Sequence, residues 1–178
     1  MYKRQIKLNG TEITDKPTFE RARAGVAYVP QGRMIIPDFS IKDNILMGGF
    51  ASSKGRRIPE LVAELFPYLM ENLERPGGVL SGGQQQQLAI ARALASDPKL
   101  LLMDEPTEGI QPNIVEQIEE CITRLNRELK LTIVLVEQNV DFARKAASHF
   151  AMIENGTCKV DGKIEALTAK IVSQYMTI

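Results

Sequence analysis

The chain has no tryptophan and a single histidine in 178 residues, and aromatic side chains make up only 6% of it. It has two cysteines, Cys121 and Cys158, and these stand singly rather than in the short-spaced pairs that ligate zinc. Cys121 falls on the apolar stripe of a predicted helix, so both are expected to be reduced packing residues of a cytoplasmic protein. An excess of one charge is also missing: Lys+Arg and Asp+Glu are 22 each, for a net charge of +0. That excludes the electrostatic footprint of a nucleic-acid binder, and no nucleic-acid partner is expected. No apolar run approaches the roughly 18 residues of a membrane span and no signal-peptide pattern opens the chain, so a soluble protein is expected. His149, before Phe150-Ala151-Met152-Ile153, reads as structural. What remains, 44% hydrophobic and 25% charged residues, is the ordinary composition of one globular domain.

The informative residues begin at Ser81-Gly82-Gly83-Gln84. Ser81 is a good helix N-cap and Gln84, three residues on, completes a capping box. Gly82 and Gly83 carry no side chains to block a phosphate from the free N–H groups of the first turn, where the macrodipole adds about half a positive charge. The pattern is that of an anion site. Further on, Leu100-Leu101-Leu102-Met103 is a short, continuously apolar run closed by Asp104-Glu105, as in a buried parallel strand whose C-terminal end presents carboxylates to a ligand crevice. Carboxylates so placed suit magnesium and a water nucleophile.

These residues resemble the ATP-binding-cassette ATPases. Leu80 to Gln84 is similar to their signature motif, Leu88 to Leu94 to the signature helix, and Leu101 to Thr107 to the Walker B strand with its catalytic acid. Tyr28-Val29-Pro30-Gln31-Gly32-Arg33 is similar to their Q-loop, and Ile133 to Gln138 to the switch strand. The motifs stand in the family's order along nearly the whole chain. Gly25 to Arg33 and Thr107 to Pro112 are closest to the ATPases of branched-chain amino-acid and urea importers, and Gln84 to Gln87, Glu108 to Pro112 and Val140 to Ala143 look more like the urea branch.

One motif of that family is absent. None of the 13 glycines opens a Gly-x-x-x-x-Gly-Lys-Ser/Thr phosphate loop. In the family this loop precedes a segment like Ile6 to Thr14, so the chain is expected to begin just after it, without the first strands. Met1-Tyr2-Lys3-Arg4-Gln5 differs only at its first residue from one translated frame of a transposon-end adapter used in DNA library preparation, and is expected to be foreign.

Strands are expected at Ile6 to Leu8, ending in the Asn9-Gly10 turn, at Gly25 to Val29, halted by Pro30, and at Leu131 to Val136. Helical periodicity marks Asp43 to Met47, Glu60 to Glu74 and Ser81 to Ser96. From Pro112, Ile114, Ile118, Cys121, Ile122 and Leu125 form one buried stripe. Asn139 to Ser148 reads as a short helix, Phe150 to Val160 as a hairpin turned at Asn155-Gly156, and Glu165 to Met176 as a closing helix. The Gln84 to Gln87 run reads as polar helix surface. The alternation implies an α/β fold, a parallel sheet with helices on both faces. By resemblance it is a P-loop NTPase-like core with a helical subdomain. Residues 1–36 would be the truncated N-terminal part of the core, 37–96 the helical and signature subdomain, and 97–178 the rest of the core.

The resemblance implies roles residue by residue. Asp104 would hold Mg2+ through its outer shell, and Glu105 would orient or deprotonate the attacking water. Gln31 would contact the metal or the water and report to Met34 to Phe50. Ser81, Gly82, Gly83 and Gln84 would bind the terminal phosphate of ATP. Gln138 stands where the wider family places His; an amide can donate a hydrogen bond to that phosphate but adds no charge. Glu108 to Gln111 replaces the usual Ser-Ala-Leu-Asp after Walker B; Gly109 to Gln111 would still lie at the dimer seam, without the usual Asp.

The implied function is the ATP-hydrolysing subunit of an importer, with urea as solute and branched-chain amino acids as the alternative. Its partners would be a second cassette subunit, membrane permease subunits and, through them, a periplasmic or extracellular solute-binding protein. It would sit on the cytoplasmic face of the membrane, and the fragment alone would be inactive. A DNA-repair ATPase would carry a coiled coil or zinc module between Q-loop and signature, where Pro37 to Val79 has neither. A translation-associated cassette protein would need tandem cassettes.

Overall fold

The computed structural model describes residues 5–176, so most of the expected foreign segment, Met1 to Arg4, lies outside the described residues. The first elements are short strands, β1 (Lys7–Leu8) and β2 (Thr11–Glu12), paired antiparallel. Asn9 and Gly10 between them both take positive φ, 48° and 80°, as a two-residue hairpin turn requires. Helix α1 (Thr18–Arg23), which no sequence pattern announced, leads into β3 (Val26–Val29).

Next comes a run of short helices. In α2 (Ile41–Gly48), the Ser40 hydroxyl accepts from the Asp43 N–H at 3.0 Å. The expected single helix over residues 60–74 is two, α3 (Glu60–Leu65) and α4 (Pro67–Glu71). Pro67 has no N–H to continue α3 and forces Phe66 out of helical geometry, to φ −133° and ψ 64°. Helix α5 (Gly82–Leu94) then precedes β4 (Leu100–Asp104), α6 (Pro112–Arg127), β5 (Thr132–Val136) and α7 (Val140–Ala146).

Strands β3, β4 and β5 form one parallel sheet in that order. Its register pairs Val29 with Met103 and Asp104 with Val136, so the residues just beyond each strand meet along the same edge. One face packs on helices: Val29, Leu101 and Met103 join Ile41 and Ile45 of α2, Leu88 and Ile90 of α5, and Ile118, Ile122 and Leu125 of α6 in the main core. The opposite face is open. Tyr28, Val134 and Val136 are each about half exposed, so among the described residues helices cover one face where two were expected. The continuous apolar runs fit a sheet buried on both sides.

Strands β6 (His149–Glu154) and β7 (Thr157–Lys163) form the expected antiparallel hairpin, with positive φ at Asn155 and Gly156. The closing helix is shorter than expected: a 3-10 turn at Ile164–Ala166 precedes α8 (Ala169–Tyr175), whose N-cap is Thr168. Between β5 and β6 lies an open cleft of ≈ 830 Å³, lined by both strands, each hydrogen-bonded to a neighbouring strand on one side only.

Candidate functional site

The helix expected at Ser81 is present with its capping box. Ser81 N–H donates to Gln84 Oε1 at 3.0 Å and Gln84 N–H to Ser81 Oγ at 3.4 Å. The two glycines differ. A Cβ at Gly82 would first meet the Arg33 guanidinium, at 3.2 Å, whereas one at Gly83 would lie 2.8 Å from Ile114 of α6. Gly83 is therefore glycine for helix packing as well as for approach to the backbone. The second half of the glutamine run is not polar surface: Gln84 and Gln85 are half-buried, but Gln86 and Gln87 are 3% and 8% exposed, and Gln87 Nε2 donates to Gln117 Oε1 at 2.9 Å. A helix walled in by α2, α6 and β3 buries those positions whatever their polarity.

At the C-terminal edge of the sheet, Gln31, Glu105 and Gln138 form one network. Gln31 Nε2 donates to Glu105 Oε2 at 3.2 Å and to Glu108 Oε2 at 3.0 Å, and Gln138 Nε2 donates to Glu105 Oε1. Both oxygens of the Glu105 carboxylate are thus held by amides from neighbouring strand ends. Glu105 itself has φ 43°, a sparsely populated conformation for a non-glycine residue, held by its N–H donating to Val136 O at 2.9 Å. Asp104 is adjacent but separately held: the Tyr28 hydroxyl donates to its Oδ2 at 3.0 Å. That hydrogen bond, then burial and the repulsion of the carboxylate, push the Tyr28 pKa above its ordinary value. Gln31 reaches Glu105, not Asp104. Ser81 to Gln84 stand apart, with no hydrogen bond to the strand-end network among the described residues.

Three participants lie inside the quoted segments but were given no role there. Glu137 accepts from Thr107 N–H and hydroxyl at 3.1 and 2.6 Å, and from Gln138 N–H and Asn139 N–H at 3.1 Å each. It pins the loop after β4 to the end of β5. Arg92 of α5 donates to Met34 O at 2.7 Å and Arg33 O at 3.0 Å, and burial lowers its pKa. Tyr28 was detectable in principle, because strand alternation puts it on the face of Leu102 and Asp104.

The sequence model of the family described as ABC transporter matches residues 2–108. The chain is similar to the high-affinity branched-chain amino acid transport ATP-binding protein BraG of Pseudomonas aeruginosa, 44% identical over 153 residues, covering 85% of this chain and 65% of that protein. It is also similar to the probable branched-chain amino acid transport ATP-binding protein LivF of Archaeoglobus fulgidus, at 35% identity, 92% of this chain and 70% of that one. The chain thus spans about two thirds of the length of these relatives. Among solved structures, a dimeric ATP-binding cassette in a post-hydrolysis state with ADP and Pi shares the fold, with TM-score 0.76 at 24% identity, covering 90% of this chain and 73% of that one. With the family's sequence model matching more than half of its length, this chain belongs to the ABC transporter family.

Proposed function

We propose that the chain is the nucleotide-hydrolysing subunit of an importer for branched-chain amino acids. The observation that carries the mechanism is the carboxylate of Glu105 held at the sheet edge by amides from Gln31 and Gln138. Amides donate hydrogen bonds but do not act as bases, so among Gln31, Glu105 and Gln138 it is Glu105 that can accept a proton from an attacking water. Gln31 signals the state of that site along the Q-loop, and Gln138 orients Glu105 while remaining within reach of a phosphate. For the solute, two relatives named for branched-chain amino acid transport support this reading over urea, which rests on motif details alone.

The phosphates would be held by a Gly-x-x-x-x-Gly-Lys-Ser/Thr segment not among these 178 residues, seated with its strand in the cleft between β5 and β6. Such a strand would satisfy the facing edges of both. Magnesium fits the donors present, since Asp104 and the Gln31 carbonyl are hard oxygen ligands and nucleotide phosphates complete such a site. When bound it would neutralise charge on the transferring phosphoryl group. Ser81 to Gln84 would meet ATP held by a second subunit, since the first turn of α5 presents free N–H groups suited to phosphate. Residues 37–96 would form the part that faces the permease, which in turn meets the solute-binding protein. The subunit would then sit at the cytoplasmic face of the membrane.

The test is the complete reading frame expressed with its permease genes in cells lacking branched-chain uptake. Restored leucine uptake, together with ATPase activity of the purified subunit, is expected. Urea uptake without leucine uptake would overturn the solute assignment, and absent ATPase activity in a folded subunit would overturn the reading itself.

A further inference from the structure

The Q-loop takes an unusual course. Gly32, Arg33 and Met34 have φ of 75°, 68° and 45°, three left-handed residues in succession of which two are not glycine. Such geometry persists only where surroundings impose it. Here the Arg92 guanidinium imposes it, gripping the carbonyls of Arg33 and Met34, while Arg33 N–H donates to Pro30 O at 3.1 Å. The outcome is the position of the Arg33 side chain. Its Nη1 and Nη2 each lie 3.2 Å from where a Cβ on Gly82 would be, Nη1 donates to Gln85 Oε1 at 3.5 Å, and Nη2 is 4.0 Å from the corresponding point on Gly109.

Electrostatics makes this arrangement informative. The first turn of α5 contains no acidic residue, and its N–H groups form the positive end of a helix dipole. Against that end stands a guanidinium with no carboxylate within ion-pair distance among the described residues. Its protein partner at this turn is the neutral Gln85 amide. Two positive features brought together without an anion repel one another, and the backbone strain that holds them there would be relieved by a loop pointing elsewhere. A bound anion reverses the sign of the interaction, because the guanidinium offers paired N–H donors in the fork geometry that suits phosphate oxygens.

We propose that Arg33 contacts the terminal phosphate of a nucleotide held by the second subunit, adding a charge to the otherwise neutral donor set of Ser81, Gly82 and Gly83. The inference rests on the cassette reading above and deepens it. The Q-loop then acts in two places: Gln31 reads the nucleotide on its own subunit, and Arg33, two residues on, reads the one across the interface. Arg92 joins both to α5.

The experiment uses the complete subunit carrying Glu105→Gln to stop turnover, and follows ATP-dependent dimerisation by sedimentation. Loss of a charge-assisted contact is worth roughly 10- to 100-fold in the dimer dissociation constant. Arg33→Gln, which keeps a donor toward Gln85 without the charge, is expected to weaken the ATP-bound dimer by that factor, and Arg33→Lys to recover part of it. ATP affinity of the monomer, measured at dilution, stays unchanged in both. If the Glu105→Gln protein forms no ATP-dependent dimer, the cassette reading fails irrespective of Arg33. If it dimerises and Arg33→Gln dimerises equally well, the Arg33 assignment is overturned. It is also overturned if Arg33→Gln lowers monomer ATP affinity or melting temperature in proportion, since that marks a prop for the loop.

Discussion

Gly48 stands at the crossing of α2 and α5, and replacing it with alanine should damage the molecule out of proportion to a single methyl group. A Cβ there would lie 1.7 Å from the carbonyl oxygen of Arg92, 2.8 Å from its carbonyl carbon and 3.3 Å from the Ala95 Cβ. Carbon and carbonyl oxygen ordinarily meet at about 3.3 Å, so the helices must move apart by roughly 1.5 Å. The obstacle is backbone and cannot rotate away. Overpacking of this kind costs about 3 kcal/mol, and better helix propensity returns at most about 1 kcal/mol. A net loss of about 2–3 kcal/mol corresponds to a melting temperature lower by roughly 5–10 °C for a domain of this size. Gly162→Ala is the matched control, because its Cβ would meet Phe150 at 3.7 Å and Ala166 at 4.0 Å, ordinary contact distances. Thermal and urea denaturation of the two variants should therefore diverge, with Gly162→Ala within about 0.5 kcal/mol of the parent. Equal stability of the two would refute the packing argument. The clash also falls on the residue whose side chain grips the Q-loop, so Gly48→Ala should raise the ATP concentration needed for dimerisation.

In the complete subunit, Glu105→Gln should lower turnover by roughly 100-fold or more while preserving nucleotide-bound dimers, since the amide keeps the shape but takes no proton; a variant with near-normal steady-state ATPase activity would show that the base lies elsewhere. Asp104→Asn should instead weaken magnesium-dependent nucleotide binding, read by calorimetry with and without the metal. Tyr28 should ionise late in an absorbance titration, because its hydrogen bond to Asp104 raises its pKa. The folded form then holds its proton more tightly than the unfolded chain, so this contribution to stability is complete below the ordinary value near 10 and is lost as pH rises through the folded one. Tyr28→Phe should remove the late component, and an unchanged titration curve would contradict the Asp104 hydrogen bond. Burial pushes the Cys121 thiol up to about 12 while Cys158 is exposed, so an aromatic disulfide reagent at pH 8 should modify one thiol in the native protein and two in denaturant.

Much of the fold was legible because local chemistry and tertiary context agree. The Asn9-Gly10 and Asn155-Gly156 turns, the Ser81 capping box and the stripe ending in Leu125 each specify their element alone. Failures came where context decides. Helix α1 has neither a side-chain cap nor a buried residue, so no pattern announces it. The glutamines at 86 and 87 are polar yet buried, because α5 is enclosed by its neighbours; hydrophobic periodicity cannot register the Gln87 amide taken up by Gln117 across the helices, and the Gln86 Nε2 is buried with no hydrogen-bond partner among the described residues. The open sheet face was invisible for a related reason: apolar residues in β4 and β5 are written for a neighbour that the described residues do not supply.

The candidate site divides along the same line. Glu105, Gln31 and Gln138 were readable because each closes a strand or follows one, and a parallel register gathers strand ends without further instruction. Glu137, Arg92 and Arg33 stand inside recognised segments yet had no readable role, because the partners that give them one, Thr107, Met34 and Gly82, lie tens of residues away. Yet these are the residues that connect the pieces. Glu137 fixes the loop after β4 to β5, so Glu105 and Gln138 move as one body. Arg92 fixes the Q-loop to α5, so Gln31 cannot shift toward or away from Glu105 without drawing on the helix that begins at Ser81. A continuous chain of contacts therefore runs from the Glu105 carboxylate through Gln31 and the Arg92 grip to the first turn of α5, where Arg33 lies against Gly82. Under the proposed function, motif residues would perform the chemistry at either end, and the residues between them would join the two ends.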